Sequence, residues 1–161
     1  MSTWTEHRPV RSAAVLAINL AAVAAAALIG ALGVQGTTEQ YAELQQPDWA
    51  PPSWLFGPVW TVLYVMIAVS GWLVWRKTGW SEQLVPYAVQ LVLNAIWTPL
   101  FFGANATGLA LVEIVLLWAA IAWTVITFRR VSRPATWLLA PYWAWVTFAA
   151  ALNGSIWWLN R

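Results

Sequence analysis

The chain has 161 residues, 61% of them hydrophobic and 9% charged, with fifteen tryptophans and a net charge of +2. Soluble domains carry ~25% charged residues, so this composition points to a membrane protein, and the small net charge argues against a nucleic-acid partner. The absence of cysteine excludes disulfides, thiolate catalysis and cysteine-bound metal or iron–sulfur sites, and the single histidine, His7, stands in a polar tail.

Apolar runs at 12–35, 53–75, 83–103, 107–128 and 135–158 each come close to the ~20 residues with which a helix crosses ~30 Å of hydrocarbon. The predicted fold is therefore all-α: one domain over 1–161, an integral membrane bundle of five transmembrane helices. The short breaks between runs predict that consecutive helices are antiparallel neighbours.

The first run is alanine-rich, six of the seven residues 21–27. Its apolar length, Ala13 to Val34, exceeds the ~7–15 residues of a signal-peptide core, so it is read as a span. Ala17, Ala21 and Ala25 have small-xxx-small spacing, which serves equally as an intramolecular packing face or as the seam of a homodimer.

The loop that follows carries Glu39, Glu43 and Asp48, then Pro47, Pro51 and Pro52, which stiffen an extended lead-in. Pro52 or Ser53 can begin the second helix, where a missing N–H costs nothing. Pro58 is expected one turn inside it, freeing carbonyls or kinking the helix beside Trp60. Trp60 and Tyr64 share a face. In the third run Asn94, Trp97, Thr98 and Phe101 do so by i, i+3, i+4 and i+7 spacing, and Pro99 is expected to disturb the helix one turn before its outer end.

The fourth run contains Glu113, the one acid well inside a span, which either snorkels outward, pairs with an indole or hydroxyl, or serves a proton or ligand. In the fifth, Tyr142, Trp145, Ala149 and Asn153 alternate rings with a small residue that can leave a slot, and Pro141 lies inside the inner half. Amides in hydrocarbon need partners, so Asn94 and Asn153 should face the interior. Trp4, Trp54, Trp72, Trp75, Trp80, Trp137, Trp157 and Trp158 fall near span ends, as an interfacial belt would; Trp60, Trp97 and Trp145 lie deeper.

Orientation follows from basic residues, which gather on the cytoplasmic side. Arg8, Arg11, Arg76, Lys77, Arg129, Arg130 and Arg133 would share one face and Arg161 alone the other. The N-terminus is thus expected in the cytoplasm, the C-terminus and acidic loop outside, and the bilayer to be a bacterial cell (inner) membrane.

Three strings, WAPPSWLFGPVWTVLY (49–64), QLVLNAIWTPLFFG (90–103) and PYWAWVTFAAALN (141–153), resemble in order the signature regions of the tryptophan-rich sensory protein family, also called the translocator protein or peripheral-type benzodiazepine receptor family. The resemblance covers nearly the whole chain. It implies a five-helix protein that binds porphyrins and other flat hydrophobic molecules below the first loop; eukaryotic relatives bind cholesterol and benzodiazepine-type drugs. The family's pocket positions correspond to Tyr41, Trp49, Pro51, Trp60, Asn94, Trp97, Trp145 and Ala149. Spacing adds Tyr64, Thr98, Tyr142 and Asn153 to the candidate ligand-binding set. Family members are often dimers, and some bacterial members break down porphyrin in light and oxygen, which would make Trp60 and Trp145 the candidate reactive residues here. The cholesterol-type pattern has no match, since Tyr142 is followed by no base until Arg161.

The expected function is a membrane tetrapyrrole sensor with no required cofactor and no metal site, porphyrin or haem being the ligand. Without Cys, or His in a span, the usual haem-iron ligands are missing, so recognition should depend on the ring. Acid–base pairs and nucleophile triads are absent, which leaves porphyrin photo-oxidation as the enzymatic alternative. Transport of hydrophobic ligands is the other, with no detectable inverted repeat or interior charge pair behind it.

Overall fold

A computed structural model describes residues 9–34, 43–104 and 106–161. Among these residues five helical spans are long and apolar enough to cross a membrane. Helix α1 is Pro9–Val34 and α2 is Phe56–Thr78, entered through a 3-10 turn at Ser53–Leu55; α3 is Val85–Thr98, entered through Glu82–Leu84 and continued by a π turn at Pro99–Gly103; α4 is Thr107–Arg129 and α5 is Arg133–Leu159. With their flanking 3-10 and π turns, these helices end within three residues of the expected runs, because the polar and Pro/Gly breaks that end each apolar run also end its helix.

The terminators act as their chemistry dictates. Gly79 ends α2 at φ 66° and donates its N–H to the Trp75 carbonyl, a left-handed cap that a Cβ disfavours. Ser132 begins α5, its hydroxyl accepting from the Ala135 N–H at 3.5 Å, with proline in the first turn. Lys77 donates to the Val131 carbonyl at 3.0 Å, tying the end of α2 to the α4–α5 turn and gathering Arg76, Lys77, Arg129, Arg130 and Arg133 at one end.

Helix order departs from the simple expectation. Around the bundle α1 packs on α2 and α3, α2 on α5, α5 on α4, and α4 on α3. Consecutive α2 and α3 are therefore separated by α1 and meet through long side chains: the Tyr87 hydroxyl donates to the Ile67 carbonyl at 3.2 Å, and Tyr64 donates to Asn94. A short break permits adjacency but does not impose it.

Helix α1 uses Val15, Asn19, Val23, Ala26 and Gly30 as its contact face, a four- and three-residue stagger. Ala17, Ala21 and Ala25 lie exposed on another face, so the ladder is not packed among the described residues. One proline differs from expectation and another does not. The α-helix begins at Phe56, which puts Pro58 in the first turn, where its missing N–H is no loss. Pro99 disturbs the outer end of α3 as expected, by beginning a π turn closed by Ala104 N–H donating five residues back to the Pro99 carbonyl at 2.9 Å. Pro141 is inside α5, as read from the sequence.

Most of the expected interfacial tryptophans are exposed or half-buried: Trp54, Trp80, Trp137 and Trp158 are open, and Trp72 donates to the Ser12 carbonyl at 2.9 Å with Arg76 over its ring. Trp75 is the correction. It belongs to the core, edge-on to Trp80, because its position on α2 falls on the face of Ala68, Gly71 and Val74. Trp4 lies outside the described residues.

Glu113 does not snorkel. It is 7% exposed, and among the described residues neither carboxyl oxygen has a hydrogen-bond partner. It shares α4's inward face with Ala110, Ile114 and Leu117, and that face directs the side chain away from the surface.

Candidate functional site

Two connected layers fill the space between α2, α3 and α5. The deeper layer is polar. Tyr64 of α2 donates to Asn94 Oδ1 at 3.0 Å, Asn94 Nδ2 donates to the Tyr142 hydroxyl at 3.1 Å, and Tyr142 donates to Gln90 Oε1 at 2.8 Å. One hydrogen-bond chain thus joins three helices through buried amides that lipid could not solvate. Trp60 roofs it, stacked on Tyr64 at 5.2 Å and edge-on to Tyr142 at 6.1 Å.

Above this lies a ring-lined layer. The 3.6-residue period of α5 aims Trp145 at Phe56 of α2, 5.8 Å between centroids, and at Phe148 one turn on, 5.3 Å. Trp49 from the loop meets Phe148 edge-on at 5.7 Å. On α3, Trp97 stacks on Phe101 at 5.3 Å, and the π turn brings Phe102 against both, at 6.1 and 4.8 Å. The Trp97 indole donates to Asn153 Oδ1 at 3.3 Å, and Asn153 Nδ2 donates to the Thr107 carbonyl at 2.9 Å. Phe56, Trp97, Phe101, Phe102, Ala149, Leu152 and Asn153 line a small cavity of about 10 Å³. Ala149 is the small residue between rings that makes room for it.

One donor in this layer is unused. Trp145 Nε1 is buried, and among the described residues it has no acceptor. The Gln90 and Trp143 side-chain nitrogens are likewise without acceptors. A buried indole N–H normally finds a partner.

The candidate residues sort as follows. Trp60, Tyr64, Asn94 and Tyr142 form the polar layer, and Trp97, Trp145, Ala149 and Asn153 the ring layer, with Trp49 at its edge. Pro51 is half-buried in the lead-in to α2. Thr98 stands apart: its side chain lies against Gly30 of α1, where an added Cβ would be 3.2 Å from Thr98 Oγ1. One residue past Trp97 turns the side chain by about 100° around the helix, which sends it to a different neighbour. Tyr41 lies outside the described residues.

Sequence reasoning missed Gln90, Phe56 and Phe148. Gln90 had a signal, a polar residue one turn before Asn94 on an apolar helix. Phe56 and Phe148 had none beyond being aromatic. Among the described residues no three His, Asp or Glu side chains group as a metal site requires. The arrangement offers ring faces, amides and one spare indole N–H.

Five apolar spans around aromatic and amide layers define a polytopic integral membrane protein with an internal aromatic site. Residues 16–159 match the TspO/MBR family model, and the chain belongs to that family. It is 45% identical over 124 residues to the tryptophan-rich protein TspO of Chlorobaculum tepidum, covering 74% of this chain and 78% of that one. The human translocator protein is 43% identical over 122 residues, 73% of this chain and 72% of its own. The tryptophan-rich sensory protein of Cereibacter sphaeroides is 37% identical over 134 residues, 83% and 84% respectively.

Proposed function

We propose that the protein is a membrane sensor of tetrapyrroles and that the ring layer binds the ligand, between Trp145, Trp97 and Trp60 and beneath Trp49. The observation that carries this reading is the buried Trp145 N–H without an acceptor, set among rings. A flat macrocycle supplies two aromatic faces for these rings and peripheral acceptors for that N–H. The sensory name of a relative supports the regulatory part of the reading.

The cavity, about 10 Å³, is far smaller than the ~300–1,000 Å³ pockets that hold drug-sized ligands, so a porphyrin is admitted by moving rings and loop outward. Its propionates then stay at the outer mouth, where the acids Glu43 and Asp48 disfavour them and backbone and indole N–H groups must receive them.

The test is a titration of the purified protein with metal-free and iron protoporphyrin, followed by tryptophan quenching. Equal affinities are expected; a strong preference for iron would require an axial ligand outside this site. Trp145→Phe combined with Trp97→Leu is expected to weaken binding about tenfold or more, which corresponds to ~1.4 kcal/mol, and unchanged affinity would place the pocket elsewhere. Light-driven porphyrin loss that disappears in Trp60→Phe/Trp145→Phe, with binding retained, would instead mark the degradative reading.

The proposed setting is a bacterial inner membrane with the basic end of the bundle in the cytoplasm. An alkaline phosphatase fused after Arg161 should then be active, and one fused in the Arg76–Ser81 turn inactive. The reverse pattern would invert the topology.

A further inference from the structure

Glu113 is the charge-bearing side chain that the polar and ring layers leave unused. It is 7% exposed, and among the described residues neither carboxyl oxygen has a hydrogen-bond partner. Arg76, Lys77, Arg129, Arg130, Arg133 and Arg161 are all exposed at the ends of the bundle, so none of them neutralises it. An amide or indole N–H could satisfy one carboxyl oxygen but would supply no charge, and Gln90 Nε2 and Trp145 Nε1, both without acceptors, do not bond to it.

The depth of Glu113 matches that of the ring layer. It stands about 9 Å along α4 from Thr107. On the antiparallel seam between α4 and α5, a Cβ at Gly108 would meet the Trp157 indole, one at Gly154 would meet Leu111, and Trp118 donates to Thr147 Oγ1 at 2.8 Å. Those pairs bracket Glu113 at the level of Leu152 and Ala149, two of the residues that line the small cavity. Two residues on from Leu111 is about 200° round the helix, which turns Glu113 from α5 toward α3, the helix of Trp97 and its π-turn phenylalanines. The carboxyl is also within electrostatic range of the Tyr142 hydroxyl in the polar layer below.

Indole faces in this chain already take cations: Arg161 Cζ stands 3.2 Å from the Trp158 ring centroid and Arg76 Cζ 4.8 Å from that of Trp72. An unpaired acid beside ring faces in an apolar interior selects a guest that is flat, hydrophobic and singly positive. We propose that Glu113 and the ring layer form a site for lipophilic aromatic cations, a ligand class distinct from tetrapyrroles, in which Glu113 recognises the charge. This rests on the reading that the ring layer binds a ligand. The cation lies among Trp97, Phe101 and Trp145 with its charge toward Glu113. With the guest seated the carboxylate and cation form a neutral pair, so neither charge stands alone in hydrocarbon. Attraction that water would weaken is strong at this depth, because an apolar surround screens little. Loss of the carboxylate is therefore felt by a cation and not by a neutral molecule of the same shape.

The experiment uses the full chain in phosphatidylcholine nanodiscs, which carry no net lipid charge, and two probes of one shape. One is N-methylacridinium; the other is the methylanthracene in which carbon replaces its nitrogen, a neutral isostere. Binding is followed by tryptophan quenching, corrected with empty nanodiscs. Glu113→Gln is expected to weaken N-methylacridinium binding about tenfold or more and to leave methylanthracene binding within about twofold. Glu113→Asp keeps the charge and should retain more of the cation affinity than Glu113→Gln does. Unchanged cation affinity in Glu113→Gln would overturn the proposal, as would an equal loss for both probes, which is the signature of a structural role. The neutral probe separates the two readings. If wild-type protein binds methylanthracene and Glu113→Gln does not discriminate between the probes, the cation site fails and the ring layer stands; if wild-type protein binds neither probe, both fail.

Discussion

Gly71→Ala is expected to destabilise the detergent-solubilised protein by roughly 1–3 kcal/mol, the range for overpacking a filled core, read as a lower midpoint in thermal or denaturant unfolding. A Cβ at Gly71 would lie 2.6 Å from Tyr87 Cζ and 2.8 Å from Asn19 Oδ1. Neither neighbour can move cheaply. Tyr87 is 6% exposed, donates to the Ile67 carbonyl and stacks on Phe128 at 5.9 Å; Asn19 donates to the Val15 carbonyl at 3.0 Å. Gly71 is therefore where α1, α2 and α3 come together around one ring. A double-mutant cycle with Tyr87→Leu should recover part of the loss, because the shorter side chain vacates the overlap. Full additivity of the two substitutions would show that the conflict lies elsewhere.

The second large effect is expected at Tyr142→Phe. Removing a hydroxyl that is 0% exposed leaves Asn94 Nδ2 without its acceptor and Gln90 Oε1 without its donor. Each buried orphan costs ~1–3 kcal/mol in soluble proteins, whereas interhelical hydrogen bonds in membranes average nearer ~0.6, so a total of about 2 kcal/mol is expected. The substitution keeps the ring, so packing on Trp60 should survive and the loss reports the polar chain alone. Adding Gln90→Leu should restore part of the stability by removing an amide whose nitrogen already lacks an acceptor. No recovery would mean that the chain contributes little to the fold.

The contrast between these two sites shows what periodicity can read. Tyr142 stood out because it begins a spaced stripe with Trp145, Ala149 and Asn153, and the stripe does face the interior. Gly71 carried no local signal. Its importance comes from Tyr87, sixteen residues away and on a helix that does not neighbour α2. Thr98 and Glu113 mark the same limit from the other side. Helical spacing placed Thr98 within ~100° of Trp97, yet the neighbour it meets is Gly30 of α1. Glu113 had room by length to snorkel, and only the packing of α4 against its neighbours turns it inward. Pro58 was misplaced for a more local reason: a 3-10 turn precedes α2, so the α-helix starts three residues later than the helical run as a whole.

Hydropathy and punctuation were enough to define the number, type and approximate ends of the spans, since a run of ~20 apolar residues in a bilayer has no other way to satisfy its backbone. The motif strings were enough to indicate the family. Tertiary structure alone decided the order of helices around the bundle, the division of the candidate residues into a polar and a ring layer, and the pairing of Asn160 with Gln45. Those features depend on which faces meet, and in lipid the choice among apolar faces is made by close fit and by a few hydrogen bonds, neither of which leaves a periodic trace along the chain.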